Sequence, residues 1–522
     1  MTLTENIKRY LTNKEEKKAK VSGESMIVVN EAVGAIAFYY EKIRNVIDYA
    51  DEHLLRQNAI LRILGRRLIL QQDTNDLAMG ILRELVRSRY FPNNSVPQKT
   101  VKDVEKILQL YLGVIRSLKS RRILSDKDQD WLLSMAACAI DEHLASMKQE
   151  EALVQLMYEK VEKNVVVKGN EEDDATRKSQ LYIAAYRILL RPDIHRLRYF
   201  LLKQIFPVWQ NLEHVDIEAR AAEYHDVASK IDYHIKHQLN KKFMNQFRRF
   251  RIPFIVLYTL LKNNPDSILS ERDALEKEVK RLCEGFYNVQ RRRLYSRGIR
   301  AFVYIFLTKM VLGLAIELPY DIFALGHINT LPLMINVFFP PILLAAIAFT
   351  VRFPGETNTI AIQRAVNEIV FEDTPHEIFT QQKAEVKKRP KGLYAIFTLL
   401  YIVLFAVSFG AVGWVLWKLH FNIVSGVIFF LFFSLITFFG ITLRRQVREL
   451  VILKAKPSLL AIFVESFFLP IIKVGHWLSF NISRVNIFVF IFDILIELPL
   501  QAFIEITEEW FAFLKEKKDE TE

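Results

Sequence analysis

Four carboxylates stand inside apolar stretches in the second half of the chain, and this position gives them unusual chemistry. They are Glu317, Glu465, Asp493 and Glu497. A charge at the centre of a bilayer costs about 2.5–3.5 kcal/mol on insertion scales, so such a carboxylate faces protein or water, or carries a proton. Asp493 and Glu497 are four residues apart and therefore share one helix face. The four residues are candidates for an intramembrane acidic site that binds a cation or passes a proton.

A positional explanation stands beside this one. Glu317 and Glu497 each come two residues before a proline, where a membrane helix bends or ends and water is close. A shift of a few residues would place both carboxylates at the membrane surface. If the last apolar segment lies along the membrane surface, Asp493 and Glu497 simply belong to its water-facing side.

A second group of residues has the chemistry to contact phosphate. Residues 233–265 contain seven Lys and Arg and no acidic residue, and more arginines follow in residues 291–300. Each basic residue near an anionic membrane surface contributes about 1 kcal/mol, so we predict contacts with anionic lipid headgroups. The candidates are Lys241, Lys242, Arg248, Arg249, Arg251, Arg291, Arg292 and Arg293. A solvated face is the alternative, and nucleic acid is less favoured because no recognised motif accompanies the charges.

Metal-ligand residue types also gather in one segment. His234 and His237 are three residues apart, with His225 and several carboxylates nearby, and a divalent metal uses such groups. Surface histidines beside lysines are the commoner explanation, and we predict no metal site. The sequence also lacks the GxxxxGK[ST], GxGxxG, HExxH and GxSxG patterns. We therefore predict no catalytic residue, no cofactor and no enzymatic activity.

The intramembrane acids belong to a half of the chain that is built from apolar runs. A helix needs roughly 20 apolar residues to cross a bilayer. Four runs approach or exceed that length, namely Phe302–Leu318, Leu331–Val351, Leu393–Trp417 and Ile423–Leu443. Two further segments, Leu459–Ile472 and Val485–Phe503, are interrupted by acids or proline. The pattern predicts a polytopic α-helical membrane domain over residues 301–503.

The distribution of Lys and Arg predicts how this domain is oriented. These residues are abundant before the first run, absent from 319–330, abundant in 352–391, reduced to Lys418 between the third and fourth runs, and abundant in 444–456. Because basic loops stay inside, residues 1–300 are expected in the cytoplasm. Lysines near the C-terminus favour the same side, which requires six spans or four. We predict six, in a bacterial inner membrane or its equivalent, followed by an amphipathic cytoplasmic tail at 504–522.

The N-terminal half has a different composition. Residues 1–300 hold 52 Lys and Arg against 40 Asp and Glu, whereas residues 301–522 hold 19 of each. Its apolar residues follow a helical period almost throughout, and only Val165–Val167 reads as a strand. We predict an all-α fold with two helical cytoplasmic subdomains, 1–170 and 171–300, the second carrying the basic membrane-proximal segment.

These features favour a non-enzymatic membrane protein. Its basic helical cytoplasmic domain is expected to bind an unknown protein partner or the anionic membrane surface, in an anchor or scaffold role. The alternative is a cation- or proton-coupled transporter or channel that uses the intramembrane carboxylates.

Overall fold

The computed structural model describes residues 54–70, 73–163, 165–168, 173–211, 216–263, 271–371, 382–385, 391–453 and 458–484, with scattered positions within 7–42 and 506–513. The described chain is helical apart from two four-residue strands, which confirms the predicted all-α class. Its contacts form two units. The head unit comprises the described residues of 9–158 and 173–244, and the membrane unit comprises those of 159–172 and 245–486. The predicted domain bounds stay a prediction.

The head unit is built from amphipathic helices that bury one face each. The helices of this half of the chain are α1 (Leu55–Leu70), α2 (Thr74–Arg87), α3 (Thr100–Ser120), α4 (Asp126–Leu144), α5 (Lys148–Glu162), α6 (Asp174–Leu190), α7 (Ile194–Ile205), α8 (Ile217–Lys236) and α9 (Gln238–Phe247). Helix α3 packs on α2, α4 and α8, while α4 also packs on α1 and α7. Burial of these apolar faces is the main favourable contribution to folding.

Local signals begin several of these helices where the sequence indicates. Ser125 and Asp128 form a capping box at the start of α4, in which each side chain accepts a hydrogen bond from the backbone N–H of the other. Asp193 caps α7 by accepting a hydrogen bond from the Arg196 N–H at 2.7 Å. Such caps stabilise a helix by about 1 kcal/mol each because they satisfy N–H groups that have no partner within the helix.

The membrane unit begins with a short helix and then a very long one. Its helices are α10 (Arg251–Asn263), α11 (Arg272–Leu312), α12 (Thr330–Phe349), α13 (Glu356–Val370), α14 (Lys391–Lys418), α15 (Ile423–Arg448) and α16 (Leu459–Arg484). Strand β1 (Val165–Lys168) pairs in parallel with β2 (Gln382–Glu385), and β1 covers the segment predicted as a strand. Helix α11 contains the first part of the predicted first span, which is thus continuous with a helix that begins at Arg272.

Five helices of the described chain are long and apolar enough to cross a membrane, as expected of an integral membrane protein. They are α11 with its continuation to Leu325, α12, α14, α15 and α16. The fifth predicted segment, Leu459–Ile472, lies in α16. The sixth, Val485–Phe503, lies outside the described residues, so the count of six spans stays a prediction.

Helix α15 is the centre of this bundle, since it packs on both α12 and α16. Two glycines permit the close approach. A Cβ at Gly475 of α16 would stand 2.0 Å from the Ser434 carbonyl oxygen, and one at Gly440 of α15 would stand 2.7 Å from Ile347 Cγ2. Because real Cβ atoms do not come so near, only glycine fits these two crossings.

Candidate functional site

Most of the basic candidates in residues 233–265 are partly buried in the protein. Among them, Lys241 is exposed, whereas Lys242, Arg248, Arg249 and Arg251 are half-buried. The aromatic residues between them, such as Phe243 and Phe250, are buried. Arg249 places its guanidinium 4.6 Å from the Phe250 ring centroid, and burial lowers its pKa. The alternation of basic and aromatic residues here reflects a helix with a buried aromatic face.

The second basic segment is placed differently. Arg291, Arg292 and Arg293 are exposed on α11. The Arg291 guanidinium lies 5.2 Å from the centroid of the Phe353 ring. The same helix continues without a break into the apolar span. Three guanidinium groups therefore stand on a rigid element, next to the point where it becomes apolar.

The structure describes two of the four predicted intramembrane acids, Glu317 and Glu465, and these two have different partners. The Glu465 side chain is 59% exposed, and Arg448 Nη2 donates a hydrogen bond to its Oε1 at 3.3 Å. Glu317 has other partners and is 2% exposed. Asp493 and Glu497 lie outside the described residues. Of the two described acids, Glu317 is the buried one, and its partners are polar side chains.

Two neutral side chains hold the Glu317 carboxylate. Asn336 Nδ2, on α12, donates a hydrogen bond to Glu317 Oε2 at 2.9 Å. Ser425 Oγ, at the start of α15, donates to the same oxygen at 3.4 Å. The other carboxylate oxygen, Oε1, is buried and has no hydrogen-bond partner among the described residues. Three elements of the bundle thus meet at one carboxyl group.

The orientation of the Asn336 amide follows from its second hydrogen bond. Asn336 Nδ2 also donates to the Ser425 backbone carbonyl at 3.0 Å. A carbonyl oxygen only accepts, so the amide must present its NH₂ group to Ser425 and to Glu317 Oε2. Its own oxygen, Oδ1, is buried and lacks a partner in the described part of the chain. Pro340, one turn later, removes the N–H that would bond to the Asn336 carbonyl and adds local polarity.

A buried cation completes the arrangement. Lys309 is 0% exposed, and its ammonium lies 4.3 Å from the centroid of the Phe432 ring. Among the described residues its Nζ has no hydrogen-bond partner, and the ammonium contacts the face of the Phe432 ring. A cation over a ring in a desolvated setting is stabilised by about 2 kcal/mol, which falls short of the cost of burying it. Lys309 therefore has donor capacity that the fold leaves unused.

Asp321 is buried one helical turn beyond Glu317, and each of its two carboxylate oxygens accepts a hydrogen bond. Asn422 Nδ2 donates to its Oδ1 at 2.7 Å, and the Asn329 backbone N–H donates to its Oδ2 at 3.0 Å. The chain here winds as π-helix over Gly313–Glu317 and again over Asp321–Leu325. Single π-helical turns are frequent at functional sites because they redirect side chains within a helix. We call Lys309, Glu317, Asp321, Asn336 and Ser425 the Glu317 cluster.

Sequence reasoning found one acid of this cluster and missed its partners. Lys309, Asp321 and Asn336 were not among the predicted site residues. A signal exists, because an Asn or Lys inside an apolar run needs a polar partner from another helix. The sequence alone does not pair residues that are as distant as Glu317 and Ser425.

The histidine segment holds no metal-binding group of three ligands in the described part of the chain. His234 Nδ1 instead lies 3.1 Å from Gln180 Nε2. Comparison of the sequence with family models and curated proteins, and of the structure with solved structures, finds no match. The function is therefore inferred from the residues of this chain.

Proposed function

We propose that this protein is a multi-pass membrane anchor that holds a helical N-terminal part at the cytoplasmic face of the membrane. In this proposal Arg291, Arg292 and Arg293 contact anionic lipid headgroups, and the head unit binds an unidentified protein partner. The observation that carries the proposal is the continuity of α11, which joins the exposed arginines to an apolar span in one helix.

The length of α11 supports this role. A helix of 41 residues is about 60 Å long, whereas the apolar core of a bilayer is about 30 Å thick. The predicted span begins at Phe302, so the residues of α11 before it, 272–301, extend beyond the membrane as about 45 Å of helix. Arg293 precedes the start of the predicted span, Phe302, by about 14 Å of helix, a distance at which headgroups are still within reach of a long side chain.

Lipid binding tests the headgroup contact. The triple variant Arg291→Gln, Arg292→Gln, Arg293→Gln should lose up to about 3 kcal/mol of attraction to anionic lipid, since each charge contributes about 1 kcal/mol. Native mass spectrometry of the full chain, released from nanodiscs with phosphatidylglycerol, counts the lipids that stay bound. The matched control replaces Lys102, Lys106 and Arg116, three exposed basic residues of α3, by Gln. Equal lipid retention in both triple variants would contradict the proposal.

Thiol labelling tests the orientation. Ser296 and Phe323 are exposed and stand on opposite sides of the first apolar run. In sealed cells, a membrane-impermeant reagent should label Phe323→Cys, and it should label Ser296→Cys only after permeabilisation. The native Cys138 and Cys283 are buried and stay protected in both variants. Labelling of Ser296→Cys in intact cells would reverse the proposed topology.

A second function, ion-coupled transport, is favoured by one observation. Glu317 is an ionisable residue buried in the apolar bundle, with one carboxylate oxygen lacking a partner among the described residues. Such residues mark ion or proton pathways in many membrane proteins. Proteoliposomes loaded with a pH-sensitive dye test it, and equal proton flux in the wild type and in Glu317→Gln would remove this candidate.

A further inference from the structure

We infer that the Glu317 carboxyl group is a proton-binding site, which pairs with the Asn336 amide when it is protonated. This deepens the second proposed function by naming the ion. It concerns equilibrium binding, however, so binding without transport is a distinct experimental outcome.

The hydrogen bonds of Glu317 and Asn336 leave a gap that one proton fills. Asn336 Nδ2 already donates to Glu317 Oε2, while Glu317 Oε1 and Asn336 Oδ1 are two buried acceptors that lack donors in the described chain. Two acceptors cannot bond to each other. A proton on Oε1 turns that oxygen into a donor, and the acceptor on the residue already bonded to the same carboxyl group is Asn336 Oδ1. The acid and the amide then exchange two hydrogen bonds.

The amide cannot relieve this gap by rotating. If Asn336 turned its oxygen towards Glu317 Oε2, two acceptors would face each other, and the Ser425 carbonyl would lose the N–H that it now receives at 3.0 Å. A buried acceptor that is left without a donor destabilises the fold. The fold therefore keeps the amide in the orientation that receives a protonated carboxyl group.

The net charge of the buried ionisable groups around Glu317 also favours the binding of one more positive charge. Lys309 and Asp321 are the charged residues that act on Glu317, and together the three groups carry one cation and two carboxylates. Among the described residues, the elements packed against Glu317 contribute the neutral side chains of Asn336 from α12 and Ser425 from α15. Binding one proton makes the cluster neutral, which is the favoured state in an apolar bundle.

A metal cation fits this cluster less well than a proton. Cations such as Mg²⁺ and Ca²⁺ take six or more oxygen ligands, whereas the cluster offers two open oxygens in the described residues. A proton needs one oxygen and becomes part of a hydrogen bond.

Infrared difference spectroscopy of the full chain in nanodiscs tests the inference. Spectra recorded between alkaline and acidic buffer, with glutamate labelled by ¹³C at the side-chain carboxyl, should contain a protonated carboxyl band from a buried group. Glu317→Gln should remove that band, while Glu465→Gln should keep it, because Glu465 is exposed and paired with Arg448. Glu317→Gln is expected to fold, since a glutamine amide reproduces both hydrogen bonds of the protonated acid.

A second variant tests the pairing itself. Asn336→Leu removes the amide and should shift the carboxyl band to higher frequency, because the protonated group loses its hydrogen-bond partner. An identical difference spectrum in the wild type and Glu317→Gln would overturn the inference, as would an unshifted band in Asn336→Leu. A band that depends on Na⁺ or K⁺ concentration at fixed pH would assign the site to a metal cation instead. A band that behaves as expected, with no proton flux in proteoliposomes, would remove transport and leave proton binding intact.

Discussion

The head unit and the membrane unit each bury a carboxylate, and the two are held in opposite ways. Asp141 of α4, 2% exposed, accepts hydrogen bonds from Arg56 and from Arg196, the latter at 3.1 Å. Glu317, also 2% exposed, receives its hydrogen bonds from neutral groups and keeps one oxygen without a donor in the described chain. The two carboxylates are thus equally buried, but Asp141 is bonded to positively charged side chains and Glu317 to neutral ones.

The difference separates a structural ion pair from a site with open capacity. Both oxygens of Asp141 have guanidinium partners, and Arg196 also donates to the Cys138 carbonyl at 3.4 Å, so α1, α4 and α7 are tied together. In the Glu317 cluster, a carboxylate oxygen, an amide oxygen and the Lys309 ammonium remain available. A fully paired network fixes a fold, whereas open capacity in a dry bundle indicates a group that changes its protonation or its partner.

The largest effect is expected from breaking the head-unit pair. Asp141→Asn leaves Arg56 and Arg196 without their counter-charge, and removing one partner of a buried ion pair costs about 3–5 kcal/mol. Cys138 is buried three residues before Asp141, so its labelling by a thiol reagent reports the opening of this unit. Labelling should become about 10²–10³ times faster, since each 1.4 kcal/mol corresponds to a factor of ten.

Two controls belong to this measurement. Cys283 is buried in the membrane unit, and its labelling rate should stay unchanged in Asp141→Asn. Asp226 pairs with Lys230 at 2.7 Å on the exposed surface of α8, so Asp226→Asn should cost at most about 1 kcal/mol. If Asp226→Asn accelerates Cys138 labelling as much as Asp141→Asn does, burial is not the property that makes the Asp141 pair important.

A smaller effect is expected in the membrane unit. Asn336→Leu removes the hydrogen bonds to Glu317 and to the Ser425 carbonyl, and leaving buried acceptors without a donor costs about 1–3 kcal/mol. Cys283 labelling should become on the order of 10–100 times faster. Ser408→Ala is the matched control, because its hydroxyl donates to the Phe467 carbonyl at 2.7 Å with no charge involved. A loss in Asn336→Leu equal to that in Asp141→Asn would contradict the contrast between the two carboxylates.

The sequence predicts which stretches are helical and apolar, because periodicity and run length are local properties. The capping box at Ser125 and the strand at Val165 were accessible for the same reason. The pairing of side chains was not accessible from the sequence, because it is not a local property. Arg249 and Arg291 have the same charge in the sequence, yet one is half-buried against Phe250 and the other exposed, and the helix face that decides this depends on the packing of other elements. The hydrogen-bond partners of Glu317 come from two other helices, so no local sequence pattern predicts them.

The smallest effect concerns a head-unit amide that resembles Asn336. Gln180 Nε2 donates to the His234 carbonyl at 3.3 Å and faces His234 Nδ1 at 3.1 Å, so the carbonyl fixes the amide and Nδ1 must accept. Burial, helped by the neighbouring His237, lowers the pKa of His234. The unfolded chain then takes up a proton first, and stability should fall as pH drops below about 6.5.

The loss is limited to about 1 kcal/mol, the net contribution of an ordinary hydrogen bond. The ratio of Cys138 labelling rates between wild type and His234→Gln, measured at each pH, cancels the reactivity of the thiol itself and should rise as pH falls. His225→Gln, at an exposed position of the same helix, should keep the wild-type profile. A pH-independent ratio would mean that His234 accommodates its proton without loss. In that case the Gln180 amide, which the His234 carbonyl holds in one orientation, would not be enough to disfavour protonation of the His234 ring. Protonation of Glu317 is expected to have the opposite sign, because a carboxyl group that gains a proton gains a donor where Asn336 offers an acceptor.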